Sequence, residues 1–298
     1  MRAAPLWFLM AAASFPLCAA EPRLVPALPG PGERIRVIID SDAACEIDDL
    51  YAIALALLSQ ERLHIEGFVG AHFGDAGGPD GIRKSVQSIQ TVLEKAGMSG
   101  VFPVKAGSKP LQYSQVPEPS EGVKFLLDRA MASTPDNPLW IVLLGPLTDM
   151  ASAYLLQPEI VDRVRVFWHG RTQWPVKCWN FNAYNDLKAV RVVFDSPLPL
   201  VLFDTGTYLR CPMEESERRI RPYGTLGSYL HEFRLLKTAF QSPEKGFFDL
   251  GDIAALVDPT LIYAEVVHVP AVDWDMDYVQ RKEAGQMCRV YQIERDRT

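Results

Sequence analysis

The chain has 298 residues, of which 48% are hydrophobic and 22% charged, a globular balance that excludes a disordered, collagenous, coiled-coil or multi-span membrane protein. Lys and Arg number 30 against 37 Asp and Glu, a net charge of −7. No basic stretch supplies the phosphate-neutralising face that a nucleic-acid binder needs, so a nucleic-acid partner is not expected.

Residues 1–20 carry Arg2, an apolar run from Leu6, and small residues before Glu21, the order of a secretory signal peptide cleaved after Ala20. The run is interrupted by Pro16 and is shorter than the roughly 20 apolar residues of a membrane span. The expected product is therefore exported, periplasmic or secreted, with no stable membrane insertion after cleavage. Its four cysteines, Cys45, Cys178, Cys211 and Cys288, form no CxxC pair and no zinc pattern. An oxidising compartment permits one disulfide among them, and the sequence does not choose the pairing. Residues 21–33 are rich in Pro and Gly and read as an extended leader, which leaves 34–298 as a single domain.

In chain order, Ile35 to Ile39 reads as a strand, the acid-rich stretch that follows as a loop, and Leu50 to Leu58 as a helix. Leu63 to Val69 predicts a second strand, followed by a glycine-rich loop and a helix from about Gly81 to Lys95. Trp140 to Leu144 is a continuous apolar run ending at Gly145-Pro146, with a helix over Leu147 to Leu156. Val164 to Trp168 and Leu198 to Phe203 are two more such runs. Continuous apolar strands are buried on both faces, and their alternation with helices predicts an α/β fold with an open, mostly parallel central sheet flanked by helices. In such Rossmann-like sheets ligands sit beyond the carboxyl ends of the strands.

Beyond the first strand, Asp40, Asp42, Glu46, Asp48 and Asp49 place five acids within ten residues. Like charges so close would force several carboxylates to hold protons unless a cation neutralises them. A hard, oxygen-preferring ion such as Ca²⁺ or Mg²⁺ is the simplest solution. Asp48 and Asp49 would also suit a helix start, but capping does not account for Asp40 and Asp42.

Asp42 followed by Asp48-Asp49 after a hydrophobic strand resembles the opening DxDPGxDD motif of the inosine-uridine nucleoside hydrolase family. Here five residues, Ala43 to Ile47, stand where the motif has three, and Ala43-Ala44 replaces Pro-Gly, giving a divergent DxDxxxExDD form. Leu144-Gly145-Pro146-Leu147-Thr148-Asp149 is similar to the family's GPLTN segment. Asn180-Phe181-Asn182, with Asp186 and Ala189 following, is similar to EFNxxxDPxA. Asp249 to Pro259 matches the late segment that opens with a calcium-binding Asp. These landmarks span residues 37 to 259.

The resemblance implies a nucleoside hydrolase-like fold. It also implies Ca²⁺ held by Asp42, Asp49, the Leu144 carbonyl and Asp249, with Asp42 the catalytic base that activates a water. Asp48, Asn182 and Asn180 would meet the ribose of a small-molecule nucleoside or related glycoside. Trp168, Trp174 and Trp179 crowd the approach to Asn182 and suit stacking on a nucleobase or plain core packing. Phe248 stands where purine-preferring members carry the His that protonates the leaving base, so His169 and His72 are the candidate replacements. Asn180 replaces the family's Glu. Asp40 and Asp186 read as supporting or capping carboxylates, and Asp204 as a strand-end turn residue. Two other readings stand beside calcium-dependent N-glycoside hydrolysis: an exported calcium-dependent sugar or nucleoside binder without turnover, and a Mg²⁺-dependent phosphohydrolase suggested by Asp40-Ser41-Asp42. Homo-oligomerisation is left open.

Overall fold

β4 (Leu139–Leu143) is buried at every position and β1 (Ile35–Ser41) at all but one, as strands covered by helices on both sides must be. In this computed structural model, residues 23–206, 208–237 and 240–297 are described; the signal segment expected over 1–20 lies outside them. β1 is followed by α1 (Asp48–Leu58), β2 (Leu63–Gly70), α2 (Gly74–Gly77), α3 (Gly81–Lys95), β3 (Val104–Ala106) and α4 (Glu121–Met131). After β4 come α5 (Thr148–Leu156), β5 (Val164–His169), α6 (Phe181–Asn185), α7 (Leu187–Asp195) and β6 (Leu200–Phe203). The chain continues with β7 (Arg210–Pro212), α8 (Met213–Arg219), α9 (Gly224–Leu236), β8 (Glu244–Gly246) and α10 (Leu250–Val257). It closes with β9 (Ile262–His268), β10 (Ala271–Val272), β11 (Tyr278–Val279) and β12 (Gln286–Ile293).

Eight strands form the central sheet in the order β3-β2-β1-β4-β5-β6-β12-β9. Every pair is parallel except β12 with β9. β1 lies between β2 and β4, so the connections leave it in opposite directions and open a crevice at its carboxyl end. Side chains alternate across the sheet. Val37, Ile39, Trp140, Val142 and Phe167 pack with α1, α3 and α10 on one face. Ile38, Ile141, Leu143, Val166 and Trp168 pack with α4, α5 and α7 on the other.

Residues 23–30 carry no regular structure, yet Arg23 is buried and donates to the carbonyls of Val193 and Phe194, each at 3.0 Å. Cys45, Cys178, Cys211 and Cys288 are all free thiols, so the disulfide that the sequence allowed does not form.

Candidate active site

Beyond β1 the chain turns at once: the Cys45 amide donates to the Asp42 carbonyl at 2.7 Å, and Asp48 and Asp49 then open α1, where exposed amides and the helix dipole favour carboxylates. Ser41 donates through Oγ to Asp49 Oδ1 at 2.5 Å. Asp48 Oδ2 accepts from the amides of Phe248 (2.9 Å) and Asp249 (3.3 Å), which locks the start of α1 against the start of α10. Asp48, Asp49 and Asp249 thereby each offer a carboxylate oxygen within 4.8 Å of one another. Asp42 lines the same cleft. It sits close against the turn after β4, where a Cβ on Gly145 would lie 3.2 Å from its Cβ, Cγ and Oδ1.

Burial drives every one of these carboxyls upward. Asp42 is pushed well above its ordinary value by burial and then by the charges of Asp49 and Asp48. Asp249 moves the same way through burial, Asp48 and Asp49, and Asp49 rises to about 7 through burial and Asp48. Asp48 is raised by burial, against the opposing pull of Lys245. Its Oδ1 is buried without a hydrogen-bond partner among the described residues. A cluster of crowded carboxylates with an unsatisfied oxygen is chemistry that a hard cation completes. The Leu144 carbonyl lines the cleft beside them; it accepts from Asn182 Nδ2 at 2.7 Å and keeps a second lone pair. The donor chemistry fits a metal ion: Asp48, Asp49 and Asp249 form the close acid cluster, and Asp42 and Leu144 line the same cleft.

On the substrate side, Asn182 is held by Leu144 and by the His169 carbonyl, 3.2 Å away. Its Oδ1 has no protein partner among the described residues. His169 lines the cleft with Nδ1 2.7 Å from Asp252 Oδ2 and 3.4 Å from Asp249 Oδ1. Burial opposes its positive charge, but Asp252 outweighs burial, and the imidazole titrates above its usual range.

Other expected residues sit differently. Trp168 does not reach the cleft: the alternation of β5 sends it, fully buried, to the opposite core, where Nε1 donates to the Gly145 carbonyl at 3.1 Å. Trp174 packs edge-on against Tyr278, and Trp179 is exposed away from the lining. Asn180 lines the cleft, but its amide is spent locally. Oδ1 caps α6 through the Ala183 amide (3.0 Å) and Nδ2 donates to the Cys178 carbonyl (3.0 Å), so it is a helix cap before it is a ribose contact. His72 lies outside the lining. Nδ1 accepts from the Gly74 amide at 3.1 Å, Nε2 faces Thr148 Oγ1 at 2.7 Å, and burial lowers the ring to about 4, which removes it as a replacement acid.

Asp186 caps α7 and accepts from Thr148 and the Leu111 amide. Asp204 pairs with Arg289 at 2.7 Å. Asp40 is fully buried, and burial, followed by the charge of Asp149, pushes it far up.

The cleft, about 220 Å³, is smaller than the roughly 300–1,000 Å³ of drug-sized pockets and suits a compact ligand. It brings in groups that the sequence reading missed: Cys45, Phe181 and Arg171. Lys245, outside the lining, pairs with the lining residue Glu46 at 2.8 Å. Asp252 was legible in principle, because it lies three residues after Asp249, the N-cap residue of α10, and so comes round to the same side. Arg171 has no local signal, since the fold alone brings it to Phe248.

Fold and site together define an acid-rich cleft, with a donor set suited to a cation, at the switch point of an open parallel sheet. The profile of the inosine-uridine preferring nucleoside hydrolase family matches residues 37–297, and the chain belongs to that family. It is 33% identical over 135 residues to the pyrimidine-specific ribonucleoside hydrolase RihB of Escherichia coli, a stretch covering 42% of each chain. The matched stretch thus spans less than half the length of that curated relative. Among solved structures, a plant nucleoside hydrolase superposes with a TM-score of 0.70 at 19% identity, covering 90% of this chain and 96% of its own. A purine-preferring ribonucleoside hydrolase from Gardnerella vaginalis gives 0.66 at 18%, covering 88% and 95%.

Proposed function

We propose that the protein hydrolyses the N-glycosidic bond of ribonucleosides with a calcium ion bound by Asp42, Asp49, Asp249 and the Leu144 carbonyl. The observation that carries this reading is the convergence of Asp48, Asp49 and Asp249 on one cleft with Asp42, Asn182 and His169. Bound there, the ion would acidify a water and hold the ribose diol. Asp42 accepts the proton of the attacking water. Asp48, fixed by two backbone amides, and Asn182, fixed by two backbone carbonyls, accept from ribose hydroxyls and hold the sugar as positive charge develops on it. His169 is oriented through Nδ1 by Asp252. Its Nε2 has no protein partner among the described residues and donates a hydrogen bond to the departing base, the task that Phe248 cannot perform. The order of residues 1–20 supports export of the mature chain.

The test is ribose release from a panel of purine and pyrimidine nucleosides, with calcium and with chelator. Calcium-dependent release supports the reading. Tight calcium binding with no release from any nucleoside leaves a binding protein or a hydrolase of some other glycoside.

A further inference from the structure

We propose that Arg171, stacked on Phe248 inside the cleft, selects N-glycosides that carry an anionic group, a carboxylate or a phosphate. The inference rests on the hydrolase reading and names the substrate class of that same site. Among the described residues, Arg171 is the one Arg or Lys lining the cleft, against five carboxylates. Its guanidinium carbon lies 4.2 Å from the Phe248 ring centroid.

Among the described residues no carboxylate or carbonyl accepts from that guanidinium. The neighbouring acids are committed elsewhere: Asp204 to Arg289 at 2.7 Å and Thr172 Oγ1 at 2.9 Å, Asp252 to His169 at 2.7 Å, and Glu46 to Lys245 at 2.8 Å. The backbone is held as well. The Arg171 amide donates to the Phe203 carbonyl at 3.1 Å, and φ is 28°, a left-handed conformation uncommon outside glycine. Strain of this kind persists where the surroundings over-determine a position, and it concentrates at ligand sites.

A guanidinium stacked by its face keeps its edge donors free, and that planar fork matches a carboxylate or phosphate in two-point contact. A neutral nucleoside offers no charge to such a group. In the absence of Arg171, the acids of the cleft would repel an anionic substrate outright.

The experiment measures equilibrium binding to the calcium-saturated full chain of two matched pairs: uracil against orotate, its carboxylated counterpart, and ribose against ribose 5-phosphate. One charged member is expected to bind about 10- to 100-fold tighter than its neutral match, and the pair that shows it tells whether the anion sits on the base or on the sugar. Arg171→Gln is expected to abolish that advantage, and Arg171→Lys, which keeps charge but not the fork, to retain part of it. Equal binding within both pairs by the unaltered protein overturns the proposal, whatever the variants do, as does an advantage that survives Arg171→Gln in a folded protein. These measurements need no turnover, so failure of ribose release would count against the hydrolase reading and leave this one standing.

Discussion

His72 offers a clean test of the electrostatics around the site, because the structure makes it a neutral buried ring outside the lining of the cleft. Its Nδ1 accepts from the Gly74 amide, so Nε2 carries the hydrogen and donates to Thr148 Oγ1, which in turn donates to Asp186 Oδ2 at 2.7 Å. Protonating Nδ1 would break the first bond and place a desolvated charge in the core. With the folded ring at about 4 against an ordinary 6.5, the folded state resists a proton that the unfolded state accepts. Stability linked to His72 is therefore complete above pH 6.5 and is lost as pH falls toward 4, reaching about 3 kcal/mol at pH 4.

His72→Gln removes that dependence while giving up about 1 kcal/mol of hydrogen bonding at neutral pH. Urea unfolding of both proteins at pH 7.5 and pH 4, in chelator, reads the difference. The variant should be the less stable at pH 7.5 and the more stable at pH 4. A difference that is the same at both pH values, or that grows in acid, would refute the assignment.

The acid cluster has the opposite sign. Asp49 at about 7 and Asp149 and Asp252 at about 6 hold protons in the folded state that the unfolded chain releases near 4. Thermal unfolding in chelator should show stability falling as pH rises from about 4 to 7, and calcium should restore it most strongly at the upper end. Asn180→Ala, which deletes the cap of α6, should lower stability by about 1 kcal/mol in denaturant titrations with calcium affinity unchanged. Gly107→Ala places a Cβ 2.4 Å from Asp149 Oδ2 and 3.0 Å from the Gly70 carbonyl; a loss of about 1–3 kcal/mol is expected by the same assay.

The sheet was legible because its strands are uninterrupted apolar runs, and β1, β2, β4, β5 and β6 fall where those runs predicted them. The acidic face of the cleft was legible because the carboxylates cluster in sequence around Asp42 and because Asp249 opens a segment with a recognisable pattern. Trp168 was misplaced for a physical reason: a strand buried on both faces shows no alternation of polarity, so nothing local says which face a residue takes. Asn180 lines the cleft and also caps α6, a second role that the sequence does not show, because an amide suits a cap and a ligand equally well and only the positions of Ala183 and Cys178 reveal the cap. The antiparallel β9–β12 pair and the Arg171–Phe248 stack are long-range pairings, which a single sequence does not encode locally.

The most direct test of the central claim is steady-state ribose release by Asp42→Asn beside the unaltered protein, both with bound calcium verified by metal analysis. Loss of the base should cut kcat by at least about 10²-fold while nucleoside is still bound. Release at the unaltered rate by the calcium-loaded variant would contradict the assignment of Asp42 and the hydrolytic mechanism built on it.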